Sequence, residues 1–173
     1  MLRHIVGDEI FFEILRSYAS NDSLAYNAAS TSDFQKVCED ISGEDFEQFF
    51  QQWIYGDRYP KYELSWWMED DYIYKVKIDQ IQSYGIFSMP IDLKFSGTAG
   101  PLSMDTTIVI QNSSASHIYE VSGLDFFVEN VTIDPDNWIL KEATYVTNGI
   151  ENIVAKQIAL SYTSPPIEYI HLK

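Results

Sequence analysis

Three histidines and one cysteine are the side chains of this 173-residue chain best suited to bind a metal or to attack a carbonyl. Their spacing suits neither task. A catalytic zinc site takes two His one helical turn apart plus a carboxylate, with a nearby Glu to activate water. His4, His117 and His171 stand far apart, and no H-E-x-x-H occurs. Each is read as a structural or surface His. Cys38 is followed by Glu39 and Asp40, whereas a reactive thiolate needs an electropositive neighbourhood. It is expected to be a small buried apolar residue, and a single cysteine permits no intrachain disulfide. The G-x-S-x-G elbow, the G-x-G-x-x-G turn and the Walker loop are missing from the sequence.

Carboxylates are plentiful. Glu69, Asp70 and Asp71 read as an acidic turn between two strands, with a glycosidase pair as the alternative. Asp134 and Asp136 flank Pro135. They form either an Asx-type turn before Trp138 or part of a calcium site, since both offer hard oxygen ligands. Trp66, Trp67, Tyr72 and Tyr74 are cross-strand core pairs if buried, or a stacking platform for sugars and peptide side chains if exposed. Asn112-Ser-Ser and Asn130-Val-Thr match the glycosylation sequon, a pattern common by chance.

The elements that would position these residues fall into two kinds. In GDEIFFEILRSYAS, Ile10, Phe11, Ile14, Leu15 and Tyr18 recur at helical steps, with Gly7 and Asp8 as the start signal. STSDFQKVCED opens on three hydroxyl residues able to cap a second helix. Ser42 with Asp45 has the spacing of a capping box for a third, whose apolar stripe is Phe46, Phe49, Phe50, Trp53 and Ile54. Gly56 is its expected stop. From Pro60 the period becomes two. Tyr62, Leu64, Trp66 and Met68 make one strand, MEDD a turn, and Tyr72, Tyr74, Val76, Ile78 and Gln80 a second strand. MPIDLKF, DTTIVIQ, HIYEV and DFFVENVTI follow, separated by SGTAG, NSSAS and SG. DPDNWIL turns into a last strand. The pattern predicts an α+β chain, N-terminal helices followed by a small antiparallel β-sandwich. Its expected divisions are 1–58, 59–146 and a surface tail over 147–173.

Composition limits the partners. A formal charge of −15 repels nucleic acid and anionic membrane surfaces, and 46% apolar residues suffice for a core. No apolar run approaches the roughly 20 residues of a membrane span, and no signal peptide is expected.

The first sixty residues carry a family resemblance. MLRHIVGDEIFFEILRSY, then AASTSDFQKVCED, then Ser42, Gly43, Asp45, Phe49, Phe50, Gln52 and Trp53 of SGEDFEQFFQQW resemble the end of the catalytic domain in zinc aminopeptidases of the aminopeptidase N type. Tyr59-Pro60 is similar to the point where that family's chain passes into its third domain, a small β-sandwich. QIQ (Gln80 to Gln82), MPIDLKF and IDPDNWILK look like later parts of that sandwich. The likeness covers Met1 to Lys141 and is most specific before Arg58. It implies a thermolysin-like catalytic domain upstream, with residue 1 falling just after the family's catalytic tyrosine. No catalytic, cofactor-binding or metal residue is therefore carried over to this chain, which alone is expected to be inactive. The implied whole protein is a hydrolase that holds zinc and removes amino-terminal residues from peptides. The partners so implied are the missing catalytic part and peptide substrates. An apolar helical face around Phe11, Phe12, Ile14 and Leu15 would also permit self-association. The likeness is to the shorter, sandwich-terminated members. IALSYTSPPIEYIHLK resembles the start of a C-terminal sorting domain that some bacteria use for secretion, without its Pro-Asn-Pro, and the implied parent protein is bacterial and secreted or periplasmic. The alternative function is a non-catalytic binding module on the same scaffold.

Overall fold

A computed structural model describes residues 1–25 and 27–146. The expectations for the tail 147–173 and for His171 lie outside the described residues. Helices α1 (Leu2–Ser20), α2 (Thr31–Ser42) and α3 (Glu47–Trp53) precede seven strands. These are β1 (Lys61–Asp70), β2 (Ile73–Gln80), β3 (Met89–Ala99), β4 (Leu102–Asn112), β5 (Ser116–Val121), β6 (Phe127–Ile133) and β7 (Glu142–Tyr145). The strands form two sheets, β5-β2-β1-β7 and β4-β3-β6. The chain is therefore α+β, helices followed by a small sandwich. One pairing departs from the antiparallel expectation, because β7 runs parallel to β1 from Lys61–Glu142 to Leu64–Tyr145. The segment after β6 carries the chain back to the end from which β1 starts.

Helix starts and stops differ from the sequence pattern where backbone pairing overrides it. Gly7 does not begin α1. It interrupts it at φ 77°, and Arg3 bridges the break with two 2.7 Å bonds to Asp8. The turn before Gly7 is helical because Leu2, Ile5 and Val6 pack against the core. Ser30 is the cap of α2. Its hydroxyl accepts from Asp33 N–H while the Asp33 carboxylate accepts from Ser30 N–H at 2.7 Å, a true capping box. The expected box at Ser42 and Asp45 does not form. The Ser42 hydroxyl turns back to the Cys38 carbonyl at 2.7 Å, and Gly43 closes α2 in the left-handed conformation. Helix α3 stops at Trp53 with Ile54 as its cap, ahead of Gly56.

The strands run longer than their apolar patterns. Met68, Glu69 and Asp70 belong to β1, leaving Asp71 and Tyr72 as the turn, with Tyr72 at φ 58°. SGTAG is mostly strand, because β4 on one side and β6 on the other pair with β3 through Thr98. In β6 the register passes from Ser96–Asn130 to Gly97–Val128, so Glu129 is the extra residue of a bulge. That bulge lets Val128 and Val131, three positions apart, both point inward.

The core lies between the sheets. Tyr62, Leu64, Tyr74, Val76, Ile78, Ile91, Leu93 and Phe95 are buried. Full burial of each such side chain contributes about 1.5–3 kcal/mol. The Tyr74 hydroxyl crosses the sandwich to accept the Val128 N–H at 3.0 Å. Ile14, Val37, Cys38, Phe46, Phe49 and Phe50 extend the same buried cluster into the helices.

Candidate functional site

Two features could carry function: an open apolar groove on the helices and the seam that fixes the helices to the sandwich. The groove, of about 620 Å³, is lined by α1, α2 and α3 and reaches the first two residues of the chain. Its floor is aromatic. Tyr18 meets Phe34 edge-on at 5.1 Å, Phe34 meets Phe50 at 6.2 Å, and Phe49 meets Phe50 at 5.7 Å. The helical periods place these rings on one side, and the sharp turn at Gly43 folds α3 back so that the rings meet. Phe12 and Leu15 remain 44% and 39% exposed, as the apolar-face expectation requires. Ile14, expected on that face, is fully buried and serves the core.

The seam is polar at both ends. The Gln52 amide donates to the Ile86 carbonyl at 2.7 Å and accepts from Ser88 N–H at 3.2 Å. Trp53 packs against Phe87 with the ring planes tilted by 54°. It is half-buried and sits on the loop before β3. Gln80 pins that loop from below. Its amide bonds the Phe87 carbonyl and Asn112, each at 2.7 Å, and Gln82 bonds Gln80 at 2.8 Å. At the other end, His4 stacks on Trp138 at 5.4 Å and 12°. His4 Nε2 faces Asp92 Oδ1 at 3.4 Å, and neither atom has a hydrogen-bond partner among the described residues. The sequence marked Gln52 and Gln80 only as parts of the family resemblance, without a role in this network, and did not single out Asp92 within MPIDLKF.

The chemistry-bearing residues are dispersed. His4 is in the seam, and His117 lies exposed on β5 against Tyr119. Cys38 is buried, and burial together with Glu39 pushes its thiol up to about 11, which makes it a poor nucleophile near neutral pH. Glu69 pairs with Lys75 at 3.0 Å, while Asp70 and Asp71 are exposed at the strand end. Asp134 is buried at φ 45°, and its carboxylate accepts Trp138 N–H at 2.8 Å, Ile139 N–H at 3.0 Å and Lys141 Nζ at 2.5 Å. The carboxylate reaches four and five residues on, beyond the two-residue span of the expected Asx turn, and the turn itself is closed by Asn137 N–H donating to the Asp134 carbonyl at 3.1 Å, with Asp136 exposed. Trp66 and Tyr74 are core, whereas Tyr72 is exposed. Asn112 is buried in the glutamine network, and Asn130 is exposed. Among the described residues, no three His, Cys, Asp or Glu side chains gather closely enough to hold a metal. No helix among them is long and apolar enough to cross a membrane.

No family profile and no curated protein sequence matches the chain. Its fold is similar to that of a solved structure of aminopeptidase A from Legionella pneumophila, in complex with aspartic acid, with a TM-score of 0.69 at 14% identity. The match covers 85% of this chain and 17% of that one, so this chain spans only a small part of its structural neighbour. At that identity the likeness establishes the fold.

Proposed function

We propose that this chain is the C-terminal portion of a zinc-dependent aminopeptidase of the aminopeptidase N type, a hydrolase that removes amino-terminal residues from peptides. On this reading residues 1–58 are the last helices of the catalytic domain and 59–146 the sandwich that follows. The zinc, its ligands and the general base belong to the rest of the polypeptide. The observation that carries the reading is the shared arrangement of helices and both sheets with a fraction of an aminopeptidase chain. The specific motifs before Arg58 support it independently.

The chain's own contribution is positional. The aromatic groove offers the remaining catalytic helices a preformed apolar seat, and Gln52 and the His4–Asp92 contact hold that seat at one angle to the sandwich. A groove of this kind also suits the second reading, a non-catalytic binding module. The two are separated by the reading frame upstream of Met1. An H-E-x-x-H there, and zinc-dependent cleavage of an aminoacyl substrate by the extended protein, are expected. The purified 173-residue chain should give no turnover above blank with added zinc. Turnover by this chain alone, or an extended frame with no zinc motif, would sink the proposal.

A further inference from the structure

Strand β4 is the longest sheet edge among the described residues, and it lacks the usual guards. Edge strands are ordinarily blunted by shortness, Pro, Lys or a bulge, because their unpaired N–H and C=O groups invite another strand. The edges β7 and β5 are 4 and 6 residues long, and β6 carries the Glu129 bulge. β4 runs 11 residues in unbroken register with β3 and contains neither Pro nor Lys. Its sole charge, Asp105, is already paired with Lys94 at 2.7 Å. Among the described residues only its far end is covered, where the Tyr119 hydroxyl donates to the Gln111 carbonyl at 2.9 Å.

We propose that Leu102 to Ile110 of β4 pairs antiparallel with the same segment of a second copy of this chain, joining two three-stranded sheets into one. The sequence of the edge is self-complementary about Thr106. Leu102 then faces the partner's Ile110, and Met104 faces the partner's Ile108, all on the core side. Met104, Ile108 and Ile110 are half-covered at the edge, and Leu102 is 63% exposed; the second strand completes the burial of all four. On the outer side Ser103 meets the partner's Val109, which is 60% exposed, and Asp105 meets the partner's Thr107. No like charges oppose. A second copy is the occupant this edge suits, because its charge is neutralised locally while the chain's −15 disfavours self-contact across its acidic surfaces. A two-fold pairing is also isologous and closes at the dimer.

The test is sedimentation velocity and native mass spectrometry of the full chain with two charge variants. Ser103→Lys/Val109→Lys places lysines opposite one another twice. Ser103→Glu/Val109→Glu does the same with carboxylates. The parent should dimerise with rising concentration. Each variant alone should weaken the dimer at least about tenfold. An equimolar mixture of the two should recover it as a heterodimer. Unchanged circular dichroism would show that the outward-facing substitutions leave the fold intact. A parent that stays monomeric at its highest attainable concentration overturns the proposal. So does a dimer that survives both variants but is lost in Leu15→Glu, which would place the contact in the helical groove instead.

Discussion

Trp53 packs against Phe87 with ring centroids 5.0 Å apart and the planes tilted by 54°, which fastens the end of α3 to the loop ahead of β3. Trp53→Ala should cost about 2–4 kcal/mol in urea unfolding, below the cost of a fully buried Trp because the ring is only partly buried. The double variant with Phe87→Ala should show a coupling of about 1 kcal/mol. Additive losses would mean that the two rings do not share the seam.

Asp134 and Lys141 form a pair almost wholly removed from solvent, with side-chain exposures of 0% and 8%. Removing one partner of a buried pair strands the other, at about 3–5 kcal/mol. Lys141→Met alone should therefore destabilise strongly, while Lys141→Met with Asp134→Asn should recover part of the loss. Thermal unfolding of these two variants and of Asp134→Asn alone decides it. A double variant as unstable as the sum of the singles would show that the carboxylate matters through Trp138 and Ile139 N–H alone.

Gly97 sits where β3 meets the β6 bulge. A Cβ there would lie 1.8 Å from the Phe127 carbonyl oxygen, a backbone atom that no rotamer change can move. Gly97→Ala should cost about 3 kcal/mol or more, since the strands themselves must separate. A loss under about 1 kcal/mol in urea unfolding would show that the bulge can relax around a methyl group.

Cys38 should resist a thiol reagent at pH 8 in the folded chain and react at once in urea. Its folded value of about 11 lies above the ordinary 9.0, so its stabilising contribution is present below pH 9 and is lost as pH rises from there through about 11. Absorbance of released thionitrobenzoate, with and without urea, reads this directly. Full labelling of the native chain within the mixing time would contradict the burial of the thiol.

What the sequence by itself determined was local. The apolar steps of α1 and α3, the hydroxyl cluster that supplies the Ser30 cap and the period-two run from Tyr62 are each written within a few residues, because helical and pleated periods act on near neighbours. The dispersal of His4, His117 and Cys38 was legible for the same reason, since a short-range zinc motif either is or is not present. Tertiary structure decided whatever depends on distant partners. SGTAG becomes strand because β4 and β6 satisfy its backbone, and Gly7 falls inside a helix because Leu2, Ile5 and Val6 find the core. Ile14 leaves the apolar face for the interior. β7 joins β1 in parallel, and Gln80 reaches Asn112 across 32 residues. Only the assembled sandwich could place Asp92 against His4 or leave β4 as an unguarded edge. Backbone hydrogen bonding and burial are settled by what the chain brings alongside each residue, and no single window of sequence contains that information.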